Sequence, residues 1–283
     1  MTITTNDLSG SGERVVNLQN VTVHRGGKNI LAKINWQVQA HERWVIMGPN
    51  GAGKTTLMQI CTGFLHPTSG TAEILGQQLG RTDVRELRTR IGLSSAALNN
   101  YLPLDETVFN TVLTAAYAVT GRWRERYDEI DYARTRQLLN DWGLSGFEER
   151  LIGTLSEGER KRTHIARALM SDPEILILDE PAAGLDVAGR EDLVSRLANL
   201  AGNPESPCLI LVTHHVEEIP PNFSHALLLS DGQVTAMGNV HDVIRSEPMS
   251  NAFKTPLDVE FGDDRWYARG RTPSRGRRAR SNM

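Results

Sequence analysis

The sequence predicts an α/β fold in which a mainly parallel β-sheet carries helices on both faces. Three observations lead to this prediction. Apolar runs of strand length, such as 44–47, 175–178 and 209–212, alternate with segments of helical periodicity. A glycine-rich loop separates the first run from a helical segment, and two acidic residues follow the second run directly. Such alternation is typical of parallel sheets, because each return to the sheet needs a crossover connection.

Composition limits the class of protein. The chain has 283 residues, of which 39% are hydrophobic, enough for one large domain or two small ones. Cys61 and Cys208 stand far apart beside apolar residues, which favours buried thiols over a disulfide framework. The apolar runs are far shorter than the ~18 residues that span a bilayer. The first residues lack the pattern of a signal peptide, so we expect an intracellular protein with a disordered segment at 1–12.

The elements of the first half follow from apolar runs and turn residues. Strands are predicted at 15–23 and 30–38, with a turn at Gly26-Gly27 between them. The strand at 44–47 precedes the glycine-rich loop and a helix. Short strands are then predicted near 71–74 and at 91–94.

The second half opens with a helical pattern between about 104 and 141, which we interpret as part of a helical insertion at about 97–153. Strands at 175–178 and 209–212 flank a helix around 192–200, and a hairpin turns at Asp231-Gly232. The insertion is rich in aromatic residues, which either fill its own core or form an exposed docking surface. These residues are Tyr117, Trp123, Tyr127, Tyr132 and Trp142.

The glycine-rich loop is the most informative motif. Residues 48–55 fit the P-loop pattern G-x-x-x-x-G-K-[ST]. They are Gly48, Pro49, Asn50, Gly51, Ala52, Gly53, Lys54 and Thr55. Glycines let the backbone close around an anion, and the N–H groups of the helix start point at it. Lys54 is expected to reach the β- and γ-phosphates of a nucleotide and the Thr55 hydroxyl to hold Mg²⁺. Thr56, which opens the helix, is expected to bind the nucleotide as well.

Two carboxylates end the apolar strand at 175–178. Asp179 is expected at the rim of the sheet beside the P-loop, where it can bind Mg²⁺ through water. Glu180 can orient or deprotonate the water that attacks the γ-phosphate. A strand end that is merely solvated by acidic residues is the weaker interpretation once a P-loop precedes it.

A third motif at 155–159 predicts a helix start, because Ser156 and Glu159 form a capping box. Its N-terminus, with the Gly158 amide and the Ser156 hydroxyl, is a second anion site, although ordinary capping explains the motif equally well in isolation. Taken together, the three motifs resemble those of the ATP-binding cassette (ABC) ATPases, whose signature is L-S-G-G-Q. Glu157 and Glu159 replace a glycine and the glutamine, while the serine and glycine that face phosphate are kept.

The resemblance covers about residues 15–245 and implies further features. Residues 182–186 resemble the D-loop, and His214 resembles the switch histidine that hydrogen-bonds the γ-phosphate and the catalytic region, although the adjacent His215 complicates the assignment. The implied fold is a P-loop NTPase core with an antiparallel β subdomain and a helical insertion, here an ABC domain at 13–262.

Two positions depart from the family pattern. The aromatic residue that stacks on adenine falls near His24 or Arg25, and we favour His24. Ala96 stands where the Q-loop glutamine is expected and cannot reach Mg²⁺ or water, so Ser94 or Ser95 substitutes in part or the role is lost. This variant resembles a subgroup of single-cassette ATPases grouped with molybdate-type transport and photorepair-like proteins.

The resemblance implies the nucleotide-binding subunit of an ABC transporter, which binds ATP and Mg²⁺ and hydrolyses ATP. Two cassettes face each other, each supplying Ser156 and Gly158 to the other's ATP, so a homodimer or a paired homologue is expected. The other expected partner is an integral membrane permease, so the resemblance implies a cytoplasmic subunit that lies peripherally on the inner face of the cell membrane. Nucleic acid is not expected as a partner. The alternative is a soluble ABC ATPase in nucleic-acid-related or regulatory work, without a permease.

Charge is unevenly distributed along the chain. The net charge is −3, but six arginines follow residue 268, so residues 1–268 carry about −9. Because this Arg-rich composition builds no core, residues 263–283 are predicted to be a disordered tail. The tail either contacts anionic lipid headgroups or RNA, or is a solvated extension without a partner.

Overall fold

A computed structural model describes residues 13–99, 101–117 and 127–271. The predicted disordered segment at 1–12 and the end of the predicted tail lie outside the described residues. Within the described ranges, no helix has the length and apolar character needed to cross a membrane.

The strands are β1 (Arg14–Arg25), β2 (Lys28–Gln39), β3 (Arg43–Met47), β4 (Ser69–Ile74), β5 (Gln77–Gln78), β6 (Ile91–Ser94), β7 (Ile175–Asp179), β8 (Cys208–Val212), β9 (His225–Ser230), β10 (Gln233–Asn239), β11 (Leu257–Gly262) and β12 (Arg265–Gly270). The helices are α1 (Lys54–Cys61), α2 (Val84–Thr89), α3 (Ala96–Asn99), α4 (Val108–Leu113), α5 (Glu129–Asp141), α6 (Glu157–Leu169), α7 (Val187–Gly202), α8 (Val240–Val243) and α9 (Ser246–Phe253).

The main sheet has the strand order β10-β9-β3-β8-β7-β6, and every neighbouring pair is parallel except the β9–β10 hairpin. This confirms the predicted mainly parallel sheet and the turn at Asp231-Gly232. The carboxyl ends of β3, β7 and β8 meet at one edge, since their registers pair Ile46 with Val212 and Asp179 with the same Val212. The topology therefore brings the P-loop, the acidic pair and the switch histidine together.

A second, antiparallel sheet has the order β2-β1-β4-β5, which confirms the predicted antiparallel β subdomain and the turn at Gly26-Gly27. Strand β3 contributes to two cores. Trp44 and Ile46 lie in the core shared with the antiparallel sheet, whereas Val45 and Met47 lie in the core shared with the helical layers. Because both faces of the strand are covered, its residues from Trp44 to Met47 are all apolar.

Three of the aromatic residues that the sequence singled out in the helical insertion are described by the structure, and they contribute to the main core. Trp142 is buried in the main core, and Tyr127 and Tyr132 pack against it while partly exposed. Of the two interpretations, core filling therefore holds for these three. The side chains of Tyr117 and Trp123 lie outside the described part of the chain.

The cysteines are free and buried, as predicted. Burial raises the pKa of both thiols, Cys61 and Cys208, to about 12. Both are protonated at neutral pH and belong to the core, not to a reactive site.

The prediction of a disordered tail from residue 263 is wrong for its first part. Strands β11 and β12 form an antiparallel hairpin, and Asp263 and Asp264 make its turn at φ 51° and 57°. Trp266 is buried in the main core. Arg269 and Arg271 pair with acidic side chains on β11 at 2.9 and 2.7 Å. The hairpin places a carboxylate of β11 diagonally across from each of these arginines, two residues from the directly opposite position.

Candidate functional site

The P-loop runs from the end of β3 to the start of α1 between closely packed backbone. Gly48 has φ 154° and Gly53 has φ 104°. A Cβ atom at Gly48 would stand 2.0 Å from the carbonyl oxygen of Leu229, and one at Gly53 would stand 2.9 Å from that of Ile30. Only glycine therefore fits at these two points.

The middle of the loop is fastened to the β9–β10 turn. The Ala52 amide donates to the Pro49 carbonyl at 3.1 Å, and the Gly232 amide donates to the Ala52 carbonyl at 3.0 Å. Asn50 and Gly51 at the tip are exposed. The loop is thus held on its inner side and open on its outer side, as an anion cradle needs to be.

Lys54 lies buried at the mouth of the loop. Its ammonium donates to the carbonyl oxygens of Gly48 at 2.8 Å and Pro49 at 3.2 Å. Burial lowers the pKa of Lys54, and the nearby carboxylates of Glu180 and Asp179 oppose that shift. The cation is therefore close to both carboxylates and held by neutral acceptors, which a phosphate oxygen can replace.

A cavity of about 380 Å³ opens beside the P-loop. Thr55, in the first turn of α1, and Asp179, at the end of β7, both line it, so the two predicted Mg²⁺ ligands converge. Burial raises the pKa of Asp179, Glu180 raises it further and Lys54 lowers it. Thr56 follows in the same turn, half-buried, and is not among the residues of that cavity wall.

Of the two residues considered for stacking on the base, the structure brings Arg25 and not His24 to this cavity. Arg25 lines the cavity of Thr55, whereas His24 Nδ1 lies 3.0 Å from Asn29 Oδ1 at the exposed end of β1. The pairing of β1 with β2 is irregular between Val23 and His24. Strand periodicity counted along the sequence therefore does not tell which of the two adjacent residues faces the cavity.

Ala96 and the serines before it point to different places. Ser94 is buried at the end of β6, Ser95 lines the cavity of Thr55, and Ala96 lines a separate cavity beside α6. The Ser95 hydroxyl also accepts the Leu98 amide at 3.3 Å. Of the two candidates to replace the expected glutamine, Ser95 is the one that reaches the site.

Glu180 and His214 meet at the same edge of the sheet. Glu180 has φ 51°, a conformation uncommon outside glycine, and its amide donates to the Val212 carbonyl at 2.9 Å. His214 Nδ1 lies 3.3 Å from Glu180 Oε1. The His215 ring packs against the His214 ring with centroids 4.1 Å apart. The contact to the proposed catalytic carboxylate is thus made by His214.

Helix α6 begins with the predicted capping box. The Ser156 amide donates to Glu159 Oε2 at 2.7 Å, and the Glu159 amide donates to Ser156 Oγ at 3.3 Å. Burial raises the pKa of Glu159, but the Ser156 hydrogen bonds and nearby arginines outweigh it, so the net shift is downward. A Cβ atom at Gly158 would meet nothing closer than 3.9 Å. In the described part of the chain, neither Ser156 nor Gly158 lines the cavity of Thr55, so the structure does not bring them to it.

Sequence reasoning missed several residues of this wall. Phe64 and Tyr101 border the cavity of Thr55, and both are exposed. No motif marks either of them. Each stands beside a leucine, Leu65 or Leu102, in a partly apolar segment, so its sequence context does not set it apart.

A glycine-rich loop at the end of a central parallel strand, with a buried lysine and a facing carboxylate, defines a P-loop nucleotide-binding protein. The family model described as "ABC transporter" matches residues 31–183. The chain belongs to the ABC transporter family, as the ATP-binding and ATP-hydrolysing subunit that powers such a transporter.

Individual relatives agree with this assignment. The chain is 42% identical to the uncharacterized ABC transporter ATP-binding protein YlmA of Bacillus subtilis (strain 168), over 89% of this chain and 95% of that protein. It is 32% identical to the energy-coupling factor transporter ATP-binding protein EcfA of Methanoculleus marisnigri, over 84% and 82%. Among solved structures, cbiO1 of Clostridium perfringens, part of the transporter complex cbiONQ, superposes with a TM-score of 0.73 at 26% identity, covering 84% of this chain and 92% of that one. The cassette MJ0796, in a dimer bound to ADP and Pi, gives 0.69 at 26% identity, over 80% and 98%.

Proposed function

We propose that two cassettes act together, each supplying Ser156 and Gly158 to the ATP held by the P-loop of the other. The observation that carries this proposal is a separation within one chain. Thr55 and Asp179 border one cavity, while the start of α6 lies elsewhere with Ser156 exposed. A helix N-terminus attracts phosphate, and the open space at Gly158 leaves room for close approach.

A homodimer with twofold symmetry is the simplest pairing, since it completes two identical sites with one kind of chain. A paired homologous cassette would satisfy the same need. The MJ0796 cassette, whose solved form is a dimer bound to ADP and Pi, supports the homodimer.

The proposed metal is Mg²⁺, held by Thr55 and Asp179. A hydroxyl and a carboxylate oxygen are hard donors of the kind that Mg²⁺ prefers, and phosphate oxygens and water are its usual further ligands. The residues on the cavity wall therefore fit the ion. When bound, it neutralises phosphate charge that develops during hydrolysis.

The roles of the other residues follow from their contacts. Lys54 exchanges its carbonyl acceptors for phosphate oxygens and offsets their charge. Glu180 orients a water that attacks the γ-phosphorus, and His214 holds that carboxylate in place from the end of β8. The bond from the γ-phosphorus to the bridging oxygen breaks, and ADP and inorganic phosphate leave. Arg25 stacks on the base at the cavity wall.

A membrane permease is the proposed second partner, and it would hold this subunit at the cytoplasmic face of the membrane. Large apolar side chains are exposed around the cavity that contains Ala96 and at the start of the helical insertion, and Tyr101 is 79% exposed. Exposed apolar groups of this kind are typical of an interface. Those that support the proposal are Leu98, Tyr101, Leu104 and Leu151. The relative cbiO1, which is part of a transporter complex, supports it as well.

The finer placement, within the subgroup of molybdate-transport and photorepair-like single cassettes, is also a proposal. It is supported by Ser94, Ser95 and Ala96, because Ser95 takes a place on the cavity wall and Ala96 does not.

The test is the mass of the Glu180→Gln variant in solution, with and without Mg·ATP. We expect a shift from monomer to dimer with ATP, because removing the carboxylate charge blocks hydrolysis and traps the closed pair. The double variant Glu180→Gln, Ser156→Arg is the control, since a bulky cation at the start of α6 prevents the closed pair. A monomer that binds ATP at saturation would overturn the homodimer and direct the search to a homologous partner chain.

A further inference from the structure

The C-terminal hairpin reaches the catalytic region through one side chain, Arg265 at the start of β12. Arg265 Nη1 donates to Glu191 Oε2 at 2.6 Å, and Nη2 donates to Glu191 Oε1 at 3.3 Å and also to the carbonyl oxygen of Glu217. The Arg265 side chain is only 18% exposed. A guanidinium that is bidentate to one residue and bonded to a second fixes the distance between them.

Both residues that Arg265 holds belong to segments next to the catalytic groups. Glu191 lies in α7, which starts at the D-loop, where Asp186 caps the helix by accepting the Gly189 amide at 2.7 Å. Glu217 lies in the 3-10 turn Val216–Glu218, directly after the two histidines. The D-loop helix and the switch turn are therefore joined by Arg265.

The hairpin makes a second contact with the same turn, and the turn is bonded to the switch. The Ala268 amide of β12 donates to Glu217 Oε1 at 3.4 Å. Inside the turn, the buried Thr213 hydroxyl donates to the Glu218 carboxylate and accepts the His215 amide at 3.1 Å. The backbone on both sides of His214 is thus fixed to the turn that the hairpin holds.

The hairpin itself is firmly seated. Trp266, next to Arg265, is buried and packs against Phe261 with ring centroids 4.6 Å apart and against His241 at 5.2 Å. Because the hairpin is anchored by Trp266, the ion pair of Arg265 costs little additional conformational entropy. The same pair made from a mobile terminus would be offset by the entropy lost on ordering it.

We propose that Arg265 is a positioning residue for ATP hydrolysis, which holds the D-loop helix and the switch turn in the spacing that places His214 against Glu180. This inference rests on the proposed roles of Glu180 and His214. The hairpin then acts as a brace that keeps the D-loop helix and the switch turn in a fixed relation to each other.

The experiment compares steady-state ATP hydrolysis by Arg265→Gln and by the matched control Arg269→Gln. Arg269 also lies on β12, but its ion pair with Glu260 stays within the hairpin and is exposed. We expect kcat of Arg265→Gln to fall on the order of tenfold with KM for ATP within about twofold, because misplacement affects the reaction more than binding. Arg269→Gln should keep the wild-type kcat. Arg265→Lys should be intermediate, since lysine restores the charge but not the forked geometry.

Glu191→Gln provides a second route that does not touch the hairpin. It should lower kcat as well. The double variant Arg265→Gln, Glu191→Gln should lower kcat by less than the product of the two single effects, because both substitutions remove the same ion pair. A wild-type kcat in folded Arg265→Gln would overturn the inference, and so would an equal loss in Arg269→Gln, which would indicate general loosening of the hairpin. The variant His214→Ala distinguishes the proposed role of His214 from the proposed role of Arg265. If His214→Ala keeps the wild-type kcat, the proposed switch role of His214 fails. If it loses activity and Arg265→Gln does not, only the brace fails.

Discussion

His214 Nδ1 lies 3.3 Å from Glu180 Oε1, so the second residue beyond β8 contacts the residue directly after β7 across the edge of the sheet. Both strands are parallel neighbours in register, with Asp179 paired to Val212. Glu180 is therefore level with Thr213, and His214 lies one residue further on. The sheet topology brings the histidine and the carboxylate to the same edge, where they are in contact.

Replacing His214 by alanine should remove the support of the Glu180 carboxylate. We expect kcat to fall on the order of 100-fold, because a carboxylate that no longer points at the water loses its positioning effect. ATP affinity, measured with a fluorescent ATP analogue, should change much less. The matched variant His215→Ala removes a ring that packs on His214 without touching Glu180. If the two variants lose activity equally, the assignment of the switch to His214 is wrong.

Arg25, the residue on the cavity wall, should contribute to nucleotide affinity, and His24 should not. Stacking of a guanidinium on a base stabilises an exposed complex by about 0.5–1 kcal/mol, so Arg25→Ala should weaken ATP binding about twofold to fivefold. His24→Ala should leave the dissociation constant within error, because its ring faces Asn29. The dissociation constants of both variants are measured by titration with the same fluorescent ATP analogue. If only His24→Ala weakens binding, His24 and not Arg25 stacks on the base.

Ser156 has two roles that a matched variant can separate. Helices α5 and α6 both begin with a capping box, formed by Asp128 with Asp131 and by Ser156 with Glu159. Ser156→Ala and Asp128→Ala should each lower the free energy of unfolding by about 1 kcal/mol. In the Glu180→Gln background, only Ser156→Ala should weaken the ATP-dependent dimer seen by light scattering. Equal dimerisation of both variants would reduce Ser156 to a helix cap.

Much of this fold could be predicted because its signals are local. The strand at 91–94 was predicted with the bounds that the structure gives it, and the capping box of α6 follows from Ser156 and Glu159 alone. The P-loop and the acidic pair were predicted side by side from the rule that parallel strands end at one edge. Each of these inferences needs only a few neighbouring residues and the general geometry of strands and helices.

The failures share a different cause. The β11–β12 hairpin was missed because Arg269 and Arg271 were counted as charge without regard to the acidic residues of the preceding strand. The alternation of apolar residues through Leu257–Gly262 and the Asp263-Asp264 turn was the overlooked signal. Likewise, the choice between His24 and Arg25 depended on an irregular strand pairing, which is a tertiary feature. Arg265 is 74 positions from Glu191 and 48 positions from Glu217 in the sequence, so no local pattern predicts that it bonds to both.

Stability should fall between pH 7 and pH 5 because of one histidine in α6. His164 is 4% exposed, and within the described residues its Nδ1 has no hydrogen-bond partner. Burial, with Arg167, Arg160 and Lys161 nearby, lowers the pKa of His164 from 6.5 to about 4. The folded protein therefore keeps the ring neutral in this window while the unfolded chain takes up a proton, so stability is complete above pH 6.5 and declines towards pH 4.

The size and the control of this effect follow from the same shift. Between pH 7 and pH 5 the contribution amounts to a loss of about 2 kcal/mol in the free energy of unfolding, measured by urea denaturation at each pH. In the variant His164→Gln, residue 164 does not titrate between pH 7 and pH 5, so its free energy of unfolding should change less than that of the wild type over this range. The comparison uses the change with pH, since the substitution also alters the absolute stability. Carboxylates with lowered pKa values, such as Glu159 and Glu191, act mainly at more acidic pH and are common to both proteins. If the two proteins show the same slope between pH 7 and pH 5, His164 takes up its proton in the folded state and is not the source of the acid sensitivity.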